Sequence, residues 1–327
     1  MMLPPFFVYL VLDPAVSEVW VGVSLEMPQI RSKSCGILSI VLISRMDIQL
    51  LLVPYDSGQR GWRCGAGPEH LVRAGLPAYL QRQGHIVTAI HIIEDDPAYP
   101  RAEIRTAFEL ARRLATAVRS ARTAGHFPIV LSGNCNTAVG TLSGLTPARR
   151  ATFWFDAHGD CNTPETTISG FLDGMGLAMT TGLCWHHLAA TVPGFQPVAA
   201  EATFLLGARD LDPPEAALLQ GSAITAIPVG QIPEGLSGLL ARAPLADRLG
   251  YLHLDVDVLD PAVGHANYLP TPNGLSLPHL TAAIAAIRAR VPLGAAALTS
   301  YSPEDDHDQA VCRAAFAAID AIVAKGA

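Results

Sequence analysis

Short apolar runs alternate with longer amphipathic stretches along the chain from Met46 onward. Several runs are continuously apolar, which is typical of strands that are buried on both faces. The alternation of strand and helix predicts an α/β fold with a mostly parallel sheet that helices cover on both sides. The predicted strands span residues 48–53, 86–91, 128–132, 152–156, 203–206, 223–227, 251–255 and 295–299.

Helices are predicted where apolar residues recur three or four positions apart. The two clearest patterns are Ile104, Phe108, Ala111, Ala115 and Val118, and then Val311, Ala315, Ala318 and Ile322. Another helix is predicted to start with Ser276 as its N-cap and Pro278 in its first turn, and to end near Pro292. Ligands of parallel α/β sheets bind at the carboxyl ends of the strands, so chemistry is expected there.

The first 45 residues differ from the rest of the chain. They are apolar and aromatic, but they lack a basic n-region, and Asp13 and Glu18 precede any positive charge, unlike a secretory signal. The apolar run 36–44 is too short for a membrane span, which needs about 20 residues. We interpret residues 1–45 as an upstream extension. Three origins stay open: a misplaced start codon that makes the segment non-native, a disordered segment, or a real accessory segment. Residues 46–327 are predicted to form one domain.

Composition narrows the class of partner. The 327 residues are 50% hydrophobic, with 22 basic and 29 acidic residues and a net charge of −7. This balance provides no electrostatic footprint for nucleic acid, so a small-molecule partner is expected, without nucleic acid or membrane. The six cysteines lack CxxC spacing, which argues against a disulfide framework or a zinc ribbon and favours a reducing cytoplasm.

Acidic residues follow two of the predicted strands. Asp156, His158 and Asp160 alternate after one strand, and Asp255 and Asp257 follow another. In extended backbone such alternating side chains point to one side, so four carboxylates and an imidazole are expected to meet. Carboxylates at short range cannot all stay ionised without compensation, and two divalent cations would provide it while activating water. Either motif alone also occurs in caps and turns, but the two together favour a metal site.

These motifs resemble those of a known superfamily. Residues 156–166, DAHGDCNTPET, resemble the DAHxDxNTP motif of the ureohydrolases, the superfamily of arginases, agmatinases and formiminoglutamases. Residues 254–261, LDVDVLDP, resemble its second signature, and residues 207–213, GARDLDP, resemble its intervening GxRDxDP segment. The resemblance covers residues 46–327. It implies an arginase-like catalytic domain of three α/β/α layers with an eight-stranded sheet, two Mn²⁺ ions per chain, and a homotrimer or homohexamer.

The resemblance also implies a set of metal ligands, which are Cys135, Asp156, His158, Asp160, Asp255 and Asp257. Asp160 would in addition orient the hydroxide nucleophile. Cys135 departs from the family, whose GGDH motif has histidine at this position. Cys135 either binds as a thiolate, which is softer than imidazole and favours zinc-like ions over Mn²⁺, or is a small buried residue of a site that has lost a metal.

Substrate-binding roles follow from the same resemblance. Asn162 and Ser169 match residues that hold the α-carboxylate of arginine, and Asp212 matches the carboxylate that meets its α-amino group. Ser300 stands where arginases have the glutamate that binds the guanidinium group. A charged guanidinium favours a carboxylate partner, whereas a less basic amidine does not need one. Nω-hydroxyarginine, whose hydroxyguanidine is less basic, is therefore the favoured substrate. The chain also resembles the Nω-hydroxy-L-arginine amidinohydrolase branch, which implies hydroxyurea and ornithine as products.

Asp173 stands where arginases have a proton-shuttle histidine. It is therefore a second candidate catalytic residue in addition to Asp160. The alternative is that Asp173 only starts a helix or forms a turn. His253 lies within a predicted strand and is expected to be a packed core histidine. Two other functions stay open. One is an arginase or a formiminoglutamase-type hydrolase, which would act on arginine, agmatine or a formimino compound. The other is a catalytically inactive binding protein with the arginase fold.

Overall fold

The computed structural model describes residues 45–100, 102–232 and 234–324. Apart from Arg45, the predicted extension 1–45 lies outside the described residues, so its interpretation and the domain boundary at residue 46 stay predictions.

Eight parallel strands form the central sheet, and all eight lie where the apolar runs predicted them. In chain order the strands are β1 (Asp47–Val53), β2 (Tyr55–Asp56), β3 (Gln59–Arg60), β4 (Ile86–Ile92), β5 (Phe127–Ser132), β6 (Arg150–Phe155), β7 (Thr203–Leu206), β8 (Thr225–Ile227), β9 (Leu249–Asp255) and β10 (Leu293–Thr299). The sheet order is β4-β1-β5-β10-β9-β6-β7-β8, and β2 pairs with β3 in a separate antiparallel hairpin.

Helices cover both faces of the sheet, which confirms the three-layer α/β/α fold. They are α1 (Gly67–Arg73), α2 (Leu76–Arg82), α3 (Glu103–Thr123), α4 (Ala138–Gly144), α5 (Gly176–Thr180), α6 (His186–Ala189), α7 (Pro213–Gly221), α8 (Leu236–Arg242), α9 (Leu277–Arg290) and α10 (Ala310–Val323). Helices α1, α2, α8, α9 and α10 pack on one face, and α3, α4, α5 and α7 contribute apolar side chains to the other.

The continuous apolar runs follow from this layering. Successive side chains of a strand point to opposite faces, and here both faces are covered. On β6, for example, Phe153 and Phe155 belong to one core and Trp154 to the other. A polar residue on either face would lose its water, so most residues of the inner strands are apolar.

Helix predictions hold in detail with one exception. The Ser276 Oγ accepts a hydrogen bond of 3.4 Å from the His279 N–H, so Ser276 is the N-cap of α9, which ends before Pro292. In α3 the predicted apolar stripe is buried except for Ile104, which lies in the first turn and is 39% exposed. Within the described part of the chain, no helix has the length and apolar character that a membrane crossing requires.

Candidate metal centre

Five neighbouring strands deliver the predicted site residues to one edge of the sheet. These residues follow or end strands β5, β10, β9, β6 and β7, which are adjacent in that order. A cavity of about 280 Å³ opens at this edge. Its lining includes all the predicted site residues except Asp156, namely Cys135, His158, Asp160, Asn162, Ser169, Asp173, Asp212, Asp255, Asp257 and Ser300. Asp156 is 1% exposed and hydrogen-bonds to residues of the same cluster.

The backbone that brings Asp156, His158 and Asp160 together is not extended, so the alternating geometry expected for it is wrong. Strand β6 ends at Phe155, and Asp160 adopts a left-handed conformation with φ of 50°. The turn packs closely against Glu215, and only glycine fits at position 159, because a Cβ there would lie 2.5 Å from the Glu215 carboxyl group. A non-glycine residue in a left-handed conformation costs free energy, and such strain concentrates at functional sites.

The second acidic pair also lies on a turn. Strand β9 ends at Asp255, and a 3₁₀-helix, Val256–Val258, carries Asp257. The Asp255 Oδ1 accepts a hydrogen bond of 2.9 Å from the Asp257 N–H. The Asp257 Oδ1 in turn accepts one of 3.2 Å from the Ala157 N–H, which ties the two acidic loops together.

The candidate metal-binding atoms lie close together. The Nδ1 of His158 lies 3.3 Å from both Asp156 Oδ1 and Asp257 Oδ2, and these three residues form a candidate ligand group. The Cys135 Sγ lies 3.0 Å from Asp255 Oδ2. The Oδ2 of Asp160 is buried and has no hydrogen-bond partner among the described residues. Such a buried oxygen is costly, and a cation would satisfy it.

The electrostatics of the cluster also fit cations. Burial and neighbouring carboxylates raise the pKa of Asp156, Asp160 and Asp255. No lysine or arginine belongs to the described lining of the cavity. Burial alone would lower the pKa of His158, but hydrogen bonds and charges from Asp156 and Asp257 outweigh it and raise that pKa. The His158 proton therefore acts as a counter-charge that an incoming metal must displace.

Asp257 differs from the other carboxyl groups of the cluster. Burial would raise its pKa, but the hydrogen bond and charge of His158 outweigh that effect and lower it. The Asn267 Nδ2 also donates to Asp257 Oδ2 at 3.3 Å and to the Ser300 carbonyl at 3.1 Å. Asp257 is thus the carboxylate that stays ionised most readily.

Cys135 lies within the ligand cluster and is 2% exposed. Its Sγ is 3.1 Å from the Thr299 Oγ1 and 3.5 Å from the Ser300 Oγ. Burial and the charge of Asp255 raise the pKa of the thiol. A metal ion reverses this preference, because a coordinating thiol is deprotonated. The position suits a ligand, and the ligand role stays a prediction.

The position of Asp173 is compatible with both interpretations of its sequence, and its catalytic role stays a prediction. It begins a 3₁₀-helix, Asp173–Met175, and it also lines the cavity. Its Oδ1 accepts a hydrogen bond of 2.9 Å from the Asn136 N–H, and its Oδ2 accepts one of 2.8 Å from the Asn134 side chain. Burial outweighs these hydrogen bonds and raises the pKa of Asp173 to about 7. A carboxyl group with this pKa can exchange a proton at neutral pH.

The predicted substrate-binding residues lie around the same cavity. The Asn162 Nδ2 donates a hydrogen bond of 3.2 Å to Asp212 Oδ2, and Ser169 is exposed on the loop that follows. Ser300 is buried beside Cys135 and has a left-handed φ of 63°. Glu304 is exposed and does not line the cavity, so it does not replace the carboxylate that Ser300 lacks.

Several residues of the site were not predicted. Asp56, Asn134, Glu215 and Asn267 line the cavity as well. They are single polar residues in a short strand, in loops or in a helix, and no spacing pattern distinguishes them in the sequence. Arg209 is charged but does not neutralise the acids, because its guanidinium group donates to the carbonyl oxygens of Asp257, Thr271 and Pro272 at 2.7–3.0 Å.

Comparisons with known proteins agree with this geometry. The model of the arginase family matches residues 46–324. The chain belongs to the arginase family. Arginase from Bacillus caldovelox is 30% identical over 245 residues, covering 70% of this chain and 82% of that protein. Rabbit (Oryctolagus cuniculus) arginase-1 is 30% identical over 264 residues, covering 75% and 78%. The crystal structure of the Bacillus caldovelox arginase superposes with a TM-score of 0.77 at 25% identity, covering 86% of this chain and 99% of that one.

Family membership confirms the enzyme class. The chain is a hydrolase that acts on carbon–nitrogen bonds of linear amidines. The arginase family depends on two metal ions, and the described residues contain candidate ligand groups for them.

Proposed function

We propose that the chain hydrolyses the guanidino or hydroxyguanidino group of an arginine-like amino acid, with Nω-hydroxy-L-arginine as the favoured substrate. The observation that carries the proposal is a buried acidic cluster whose described lining contains no lysine or arginine, next to a neutral Ser300. Water adds to the amidine carbon, and the bond from that carbon to the δ-nitrogen breaks. The products are hydroxyurea and ornithine.

Cys135, Asp156, His158, Asp160, Asp255 and Asp257 would hold the two cations. When bound, such cations polarise the amidine and lower the pKa of water, which makes hydroxide available at neutral pH. Asp160 lines the cavity, where its carboxylate would accept a proton of the attacking water and fix the orientation of that water. Asp173 can deliver a proton to the leaving amine, because its pKa is about 7.

The amino-acid end of the substrate is assigned to Asn162, Ser169 and Asp212. Asn162 and Ser169 offer donors to a carboxylate, and Asp212 offers an acceptor to an ammonium group. The hydrogen bond between Asn162 and Asp212 holds the two side chains at the same side of the cavity. Agmatine lacks a carboxylate, so this pair favours an amino-acid substrate.

Manganese is the proposed metal, with other divalent ions as alternatives because of Cys135. We also propose assembly as a homo-oligomer, a trimer or hexamer, and residence in the cytoplasm. The five described cysteines are free, which is compatible with a reducing compartment. Sedimentation of the purified chain would test the assembly.

We expect the manganese-loaded protein to release hydroxyurea from Nω-hydroxyarginine with a higher kcat/KM than it releases urea from arginine. Ser300→Glu should shift the ratio of the two kcat/KM values towards arginine by about 10-fold or more, because a charge-assisted pair is about twice as strong as a neutral hydrogen bond. Ser300→Gln, which has the same length without the charge, is the matched control. Equal or faster turnover of arginine by the unaltered protein would contradict the hydroxyguanidine preference. If the metal-loaded protein turned over neither compound, the result would favour the alternative of a catalytically inactive binding protein with the arginase fold.

Asp173→Asn should lower kcat about 10²-fold or more, the usual contribution of a general acid, with little change in metal content. The alkaline limb of the kcat profile should also disappear, because the acid form of Asp173 is lost as the pH rises above about 7. Asp210→Asn removes another carboxylate of the cavity lining and is expected to leave both properties unchanged. An Asp173→Asn protein with the kcat and the pH profile of the unaltered protein would exclude the proton-transfer role.

A further inference from the structure

His253 lies directly beneath the acidic cluster. It precedes Asp255 by two residues on β9, so both side chains point to the same face of the sheet. Its strand neighbours are Trp154 on β6 and Ala297 on β10. The imidazole is fully buried and stacks on Trp154, with ring centroids 3.6 Å apart and planes at 12°. This packing agrees with the core position expected for His253.

The polar contacts of His253 go beyond packing. Its Nδ1 lies 2.9 Å from the Tyr251 hydroxyl, and its Nε2 lies 3.3 Å from the Thr299 Oγ1. The same Thr299 oxygen is 3.1 Å from the Cys135 Sγ. Thr299 therefore bridges the imidazole and the thiol that replaces the family's histidine ligand.

The two ring nitrogens of His253 face different partners. The Tyr251 hydroxyl lies at Nδ1, and the Thr299 hydroxyl, which also donates to the Leu254 carbonyl at 3.4 Å, lies at Nε2. A cation bound at Nε2 would select the tautomer whose Nδ1–H donates to the Tyr251 oxygen. Histidine ligands of metals usually donate their other ring N–H in this way.

We propose that His253, Cys135 and Asp156 bind one of the two cations, so that an imidazole from β9 compensates for the histidine that Cys135 replaces. One donor atom from each of the three residues lies within 4.8 Å of the other two, and all three residues are buried. Zn–S bonds of about 2.3 Å and Zn–N bonds of about 2.1 Å require only a small contraction of this group. The mixed sulfur, nitrogen and oxygen donors suit a zinc-like ion better than Mn²⁺. The inference rests on the proposed function, because it assigns a ligand to the same two-metal site.

Cobalt(II) titration of the metal-stripped full chain tests the proposal, because a cobalt–thiolate bond gives a charge-transfer absorption that reports the Cys135 ion alone. The absorption should saturate at about one ion per chain and be absent in Cys135→Ser. His253→Gln should weaken binding of this ion by about 10-fold or more, the scale seen when support of a metal ligand is lost. Thr299→Val, which removes only the bridging hydroxyl, should keep the affinity of the unaltered protein.

Different results overturn different claims. Unchanged affinity and spectrum in His253→Gln, or an equal loss in Thr299→Val, would show that His253 does not bind the ion. Two bound ions without the thiolate absorption would exclude Cys135 and so overturn the inference. Absence of any bound cation would instead overturn the proposed function. Zinc X-ray absorption on the unaltered protein needs no variant: imidazole scattering from His158 and His253 should correspond to two rings per two zinc ions, and one ring contradicts the proposal.

Discussion

Asp156→Ala is expected to abolish amidine hydrolysis and metal uptake together. The side chain accepts hydrogen bonds from the Trp154 Nε1 at 3.0 Å and from the His158 N–H at 2.7 Å, so its oxygens are held in fixed positions. It also belongs to both candidate ligand groups. Its loss should therefore affect both cations. Bound metals contribute several kcal/mol to transition-state stabilisation, which corresponds to about 10³-fold or more in kcat/KM.

A matched control separates this effect from loss of a buried carboxylate as such. Asp306 is 3% exposed and accepts hydrogen bonds from the Tyr301 hydroxyl and from two backbone N–H groups at the start of α10. It does not line the cavity. Asp306→Asn should lower the unfolding temperature but keep metal content per folded chain. Metal analysis and turnover of both variants make the comparison, and an Asp156→Ala protein that is fully active without bound metal would exclude the proposed chemistry.

The sheet was predictable from the sequence because its inner strands are apolar on both faces. Each such run is short and lies between polar turns, so β1, β5, β6 and β9 have few alternative structures. The hairpin of Tyr55–Asp56 and Gln59–Arg60 was not predicted, since two-residue strands carry no periodicity. At the edge of the sheet, Ile90 and Ile92 on β4 are 42% and 45% exposed, although they appear in an apolar run. Exposure of single apolar residues depends on tertiary neighbours, which local sequence does not encode.

Sequence motifs identified residues that the structure places around one cavity, but the motifs did not predict how these residues come together. Asp156, Asp160 and Asp257 were identified by motif, yet their convergence depends on turns rather than on extended strands. The contacts of Cys135 with Asp255 and Thr299 join residues 120 and 164 positions apart in the chain. Such pairings depend on strand order and register, which motifs do not specify. The neighbours of His253 were beyond sequence analysis for the same reason.

The metal-free protein is expected to lose stability as the pH rises from about 4 to 8. Asp160 and Asp255 have raised pKa values because of burial and nearby carboxylates, and burial raises the pKa of Asp173 to about 7. The folded state therefore keeps protons that the unfolded state releases above about pH 4. Since the folded state binds more protons in this interval, the free energy of unfolding decreases with pH.

His158 and Asp257 also contribute to the pH dependence of the free energy of unfolding. His158 has a raised pKa, so its contribution is complete below about pH 6.5 and declines as the pH rises further, which adds to the same trend. The lowered pKa of Asp257 acts in the opposite direction, because its stabilising contribution is lost only in acid, below about pH 4. For Asp173, whose pKa is raised to about 7, this costs on the order of 1 kcal/mol per pH unit between about pH 4 and 7.

Saturating Mn²⁺ should reverse this trend, because cations displace the protons and bind more tightly as the pH rises. Urea unfolding at pH 5, 6, 7 and 8, with chelator or with Mn²⁺, measures both curves. Asp160→Asn is the informative variant: its neutral amide should stabilise the chelated protein at pH 8 and weaken the stabilisation by Mn²⁺. A chelated protein that is more stable at pH 8 than at pH 5 would show that the acids are compensated within the chain, and the requirement for cations would fail with it.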